Sequence, residues 1–160
     1  MQTAQQIVHN LLAVVAQQQP LANAHALLAE DVAIFMDGRQ IARGKSGWFR
    51  WVHYLQQRAK RTMPDLAMHI DATEQQTDGD LRITAHWQAT INGVVQSSAS
   101  GVVIYSIRNG QVSRIQTHRR NYTFIHGQSI ARSWVAFYFL VLRMLLSPAP
   151  DVPAATVATN

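Results

Sequence analysis

Cysteine is missing from all 160 residues, so a disulfide scaffold, a zinc–thiolate centre, an iron–sulfur cluster and a cysteine nucleophile are excluded. Charge is sparse as well, at 14% of residues, with only 9 acidic side chains against 14 basic ones. Lysine is nearly lacking, with 2 Lys beside 12 Arg, so the net charge of +5 sits on guanidinium forks that favour carboxylate or phosphate partners. Seven His add positive charge in mild acid. There is no glycine-rich phosphate loop, no nucleophile elbow and no pair of catalytic carboxylates, and nothing calls for a cofactor. Long apolar runs are few. The one that needs a membrane test, Trp134 to Leu146, has 13 residues and contains Arg143, whereas a bilayer span takes about 20. It reads as a buried or interface helix. The opening Met1-Gln2-Thr3-Ala4-Gln5-Gln6 has no basic region ahead of its apolar stretch, so no secretory signal is expected and the location expected is cytoplasmic.

What is present is 48% hydrophobic residues, enough for one domain with a sizeable core and too many for a disordered chain. The first half has helical periodicity. Ile7, Leu11, Leu12 and Val15 form one apolar stripe, Pro20 opens a second short helix, and Trp48, Trp51, Val52 and Leu55 share a face of a third, with Ser46 as its N-cap. Between them, Val32 to Met36 and Gln40 to Arg43 form a short hairpin around Asp37-Gly38. From Asp65 the period drops to two. Leu66 to Thr73, Leu81 to Ile91, Val95 to Ile107 and Gln111 to Phe124 read as long strands, separated by Asp78-Gly79, Asn92-Gly93 and Asn109-Gly110. A final helix is expected over 129–147, completing a single domain over 1–147 with a mobile tail over 148–160.

Helices first and an antiparallel meander second define the α+β class. Two-residue turns at Asp78-Gly79 and Asn109-Gly110 place Asp71 opposite His86, Ile70 opposite Trp87 and Gly101 opposite His118; a three-residue loop at Asn92-Gly93 places Val95 opposite Ile91. The helix-covered face then carries Met68, Ile70, Ile83, Ala85, Trp87, Val103, Tyr105, Gln116, His118 and Arg120, with space beside Ala99 and Gly101. Apolar walls with a few convergent polar groups suit a pocket for a small-molecule ligand. A bulge in the last strand would reverse part of this face. The other face carries His69, Asp71, Thr73, His86, Ile104, Ile115 and Thr117; it faces either solvent or a second sheet.

The run Leu27 to Gly38, Gly44 ahead of helix three, and Arg108-Asn-Gly-Gln-Val112 entering the last strand resemble the nuclear transport factor 2-like superfamily, which includes SnoaL-like polyketide cyclases and ketosteroid isomerase. The resemblance covers about Ile7 to Phe124. It implies helices packed on the concave face of a strongly bent, mostly antiparallel sheet that forms a cone with a pocket. It also implies a general base near Asp37, where a carboxylate at an apolar mouth acquires a raised pKa. The isomerase tyrosine and acidic hydrogen-bond donor would fall near Leu12 and Ile104, so that chemistry is not expected. The acidic residue of the cyclases' last strand would fall on Arg120.

Each candidate has two readings. Asp37 is a proton carrier or simply the first residue of a tight turn. His118 and Arg120 hold and protonate a ligand oxygen, Arg120 or Tyr105 stabilising an oxyanion, or they pair with internal carboxylates and carbonyls. Trp48, Trp51, Tyr54, Trp87 and Tyr105 line a ligand cavity or pack a core. Asp71 and His86 make an acid–base dyad or a cross-strand pair that supports the sheet; with His69 they lack metal-ligand spacing, and no metal is expected. The clusters Arg58-Ala-Lys60-Arg61 and Arg119-Arg120 lack a recognition motif for nucleic acid. A homodimer is expected through the outer sheet face or the final helix. The function expected is binding of a small, apolar, oxygenated molecule in the cone; the alternatives are an isomerase, cyclase or dehydratase using Asp37 or His118, and a non-catalytic dimeric interaction domain.

Overall fold

A computed structural model describes residues 2–118, 134–146 and 150–153. Helix α1 (Ala4–Val15) starts at a reciprocal cap: Gln6 N–H donates to Thr3 Oγ1 and Thr3 N–H to Gln6 Oε1. Its stripe of Ile7, Val8, Leu11 and Leu12 is buried. After Pro20, a 3₁₀ turn (Leu21–Asn23) and a single helical turn α2 (Ala24–Leu27) run directly into β1 (Leu28–Met36). The hairpin partner is β2 (Arg39–Arg43). Helix α3 (Gly44–Thr62) begins two residues before the expected Ser46 cap, because Gly44 takes φ +74° and lets the chain turn into the helix straight from β2.

The sheet contains β3 (Ala67–Gln75), β4 (Leu81–Ile91), β5 (Val94–Ser97), β6 (Gly101–Arg108) and β7 (Gln111–Thr117). The order is β2-β1-β7-β6-β4-β3, with β5 also on β4. The meander is as expected, and every pairing is antiparallel except β1 on β7. The helices and the sheet bury one main core, from Ile7 and Leu11 on α1 through Trp48 and Val52 on α3 to Ile83 on β4 and Val112 on β7. Helix α4 (Trp134–Leu146) adds Val141 and Met144 to that core. Val152 packs on it, and its carbonyl accepts a hydrogen bond of 2.7 Å from His25 Nε2.

The register differs from expectation at four places. Asn92 and Gly93 both take positive φ, so they close a two-residue turn that sets Ile91 against Val94. At Asp78-Gly79 only Gly79 has positive φ; Gln76 N–H donates to Asp80 O, and a longer loop over 76–80 results. That loop sets His69 against His86 and Met68 against Trp87, and the register slips again at Asp71. Beyond the slip Thr73 turns inward, its hydroxyl 3.3 Å from His9 Nε2 on α1. The long strand expected from Val95 is interrupted at Ser98, whose backbone N–H donates to Trp87 O while its hydroxyl accepts from Trp87 N–H, so β5 and β6 pair separately with β4. In the last hairpin Ile107 faces Val112 as expected, but Ser106 then faces Arg114, and this bulge reverses the side chains from Arg114 to Thr117. The end of the expected last strand, including Arg119, Arg120 and Tyr122, and the expected helix start over 129–133 lie outside the described residues.

Candidate functional site

The bent sheet and the helices form a cavity of about 70 Å³. One water takes roughly 10–15 Å³ of such space, so there is room for several waters or a small organic molecule. Helix α1 supplies Leu11, Leu12 and Val15, and α3 supplies Trp48, Trp51, Val52 and Leu55. The sheet supplies Ile34, Met68, Ile83, Ala85, Trp87, Val103, Tyr105 and Ile115, with Ala99 and Gly101 where large side chains would close the space. The only side-chain polar atoms on this described wall are three indole N–H groups and the Tyr105 hydroxyl. Such a wall can desolvate an apolar body, and the indole N–H groups of Trp48 and Trp87 are of the kind that donate to an oxygen.

Of the residues expected in the site, Trp48, Trp51, Trp87 and Tyr105 converge on this one cavity. Tyr54 does not line it; it packs, half-buried, against the main core. His118 does not line it either. The bulge at Ser113 turns Ile115 to the cavity and buries Thr117, while His118 is left with 69% of its side chain exposed. The apolar spacing carried a sign of this: Val112 and Ile115 are three apart, which an unbroken two-residue period does not allow. Arg120 lies outside the described residues. Leu11, Leu12 and Ile34 are wall residues that pattern alone did not single out, since a core position and a cavity position share the same hydrophobicity.

Asp37 and His118 do meet, away from the cavity wall. Parallel pairing sets Met36 beside Thr117, so the turn after β1 lies next to the residue after β7. Asp37 N–H donates to Thr117 O, and His118 Nδ1 donates to Asp37 Oδ1 at 2.7 Å. On the outer sheet face, His86 Nδ1 and the Ser100 hydroxyl both donate to Asp71, and the His69 ring stacks on His86 with centroids 5.2 Å apart. The Ser100 hydrogen bond, followed by His86, holds the Asp71 carboxyl below the usual carboxylate range. No group of three possible metal ligands occurs among the described residues, and no described helix is long and apolar enough to cross a membrane.

No family model matches the chain, and no curated protein matches it. Solved structures do. A cystatin-fold protein from Novosphingobium aromaticivorans aligns at a TM-score of 0.57 and 15% identity, over 73% of this chain and 98% of its own. A SnoaL-like polyketide cyclase from Agrobacterium tumefaciens aligns at 0.55 and 18% identity, over 73% and 91%. An NTF2-like protein from Cytophaga hutchinsonii aligns at 0.51 and 15%, over 67% and 89%. The chain therefore has the α+β cone fold of the NTF2-like and SnoaL-like proteins. A fold of this kind carries many functions, so what the chain does must be argued from its site.

Proposed function

We propose that this chain binds one small, uncharged, largely apolar molecule with an oxygen acceptor, seated between α1, α3 and the sheet. The observation that carries this reading is the wall itself: aliphatic and aromatic side chains surround the space, and its polar atoms are hydrogen-bonding groups of Trp and Tyr. Three of the four Trp in the sequence line the cavity, so ligand entry is visible in emission. Titration with uncharged aromatic and alicyclic ketones of increasing size is expected to give a saturable change in tryptophan emission. A ligand of about ten heavy atoms should bind with about −5 to −7 kcal/mol, a high-micromolar to low-micromolar dissociation constant. Emission that stays unchanged across the series, with no heat of binding by calorimetry, defeats the proposal.

The 2.7 Å contact between His118 and Asp37 supports a second reading, an isomerase, cyclase or dehydratase that moves a proton through that pair. Asp37→Asn separates the two. In the binding reading the pair is a partly exposed contact, so the change should cost at most about 1 kcal/mol of stability and leave ketone affinity unaltered. In the enzyme reading Asp37→Asn should abolish exchange of the ketone's α-protons, followed by NMR in heavy water.

A further inference from the structure

Helix α4 contributes two faces with different fates. Val141 and Met144 enter the core, and Arg50 of α3 donates to the Leu145 carbonyl, so the helix is anchored on one side. On the other side Val135, Phe139, Leu142 and Leu146 are 66, 68, 51 and 77% exposed. Their spacing is four, three, four, which is the interval of a helix–helix seam. Tyr138 and Leu145 flank the seam on one side, and both are also exposed. Taking roughly 150–200 Å² for a whole side chain of this size, the six leave on the order of 600 Å² of apolar surface in water. Two copies would together bury at most about 1,200 Å², where stable protein interfaces begin.

We propose that this stripe is the interface with a second copy of the chain, formed by two α4 helices packed antiparallel about a two-fold axis. The spacing is self-complementary. With the axis midway between residues 140 and 141, Phe139 meets Leu142 of the second copy and Val135 meets Leu146, so each layer pairs a position of one class with one of the other. Each copy thereby contributes the same patch and the contact closes. The antiparallel sense also sets the positive end of each helix beside the negative end of the other. This interface lies on α4, apart from the outer sheet face and from the ligand cavity, so it does not depend on what the cavity binds.

The test uses the full chain. Sedimentation velocity at 1–100 μM, a range of about two decades, is expected to show a dimer for the parent and a monomer for the double variant Phe139→Glu, Leu142→Glu, with at least a hundredfold weaker association. Circular dichroism should show the variant folded, because both side chains are exposed. The lack of cysteine permits a second measurement that needs no disruptive change. Val135→Cys and Leu146→Cys chains should each resist oxidative cross-linking alone and form a disulfide dimer when mixed. A monomeric parent overturns the proposal, as does a double variant that still dimerises. Efficient cross-linking of Val135→Cys with itself overturns the antiparallel pairing. A parent that is monomeric and sediments with phosphatidylglycerol vesicles would assign the stripe to an anionic lipid surface and equally reject the dimer.

Discussion

Trp48→Ala is expected to destabilise the fold by about 3–5 kcal/mol, the range for deleting a large buried aromatic. Trp48 is 2% exposed, packs edge-on against Phe49 with centroids 5.3 Å apart, and forms part of the cavity wall. Its removal joins the volume of an indole to the cavity it lines, so fewer neighbours are placed to close the gap than in a fully packed core. For a chain of this size each kcal/mol moves the melting temperature by roughly 2–4 °C, so a fall of about 6–20 °C is expected. Urea denaturation of parent and variant measures the difference. A loss under about 1 kcal/mol would mean that α3 is not held to the sheet through this side chain.

Ala85→Leu is expected to remove ketone binding while sparing the fold. Ala85 lies on β4, is half-buried, and lines the cavity beside Gly101 of β6, with Ile70 of β3 on its other side. Three added carbons occupy the space a ligand would take, so affinity should fall at least tenfold, about 1.4 kcal/mol or more. Added carbons on a cavity wall gain apolar contacts, whereas the same change in a tightly packed core costs about 1–3 kcal/mol. A melting temperature that is unchanged or raised, together with lost titration, identifies the cavity as the binding site. Unaltered affinity would place the ligand elsewhere.

Local chemistry decides local shape at the hairpin turns and along the helix stripes of this chain. A two-residue turn of the type favoured in hairpins needs positive φ at both central residues, and Asp37-Gly38 and Asn109-Gly110 adopt it where such turns were expected; Asn92-Gly93 adopts it against the three-residue loop expected there, and Asp78-Gly79 does not adopt it. The apolar stripes of α1 and α3 bury the residues their periodicity selects except Val15, which is half-buried on the cavity wall, and Trp87 and Tyr105 reach the cavity as strand parity requires. The class, the meander and four of the cavity's aromatic side chains were therefore legible before any coordinates.

What the sequence determined by itself was the order of helices and strands, most of their positions and the side chains available to wall a pocket, because periodicity and turn residues act over a few positions. Only the tertiary structure decided which side chains turn into that pocket. One extra residue at Ser113 reverses the end of β7, since successive side chains of a strand point to opposite faces. That single slip exchanges Ile115 for Gln116 on the inner face and carries His118 out toward solvent, where the parallel β1–β7 pairing brings it to Asp37. The pairing joins segments some 80 positions apart, for example Met36 with Thr117, a separation over which no local pattern carries information.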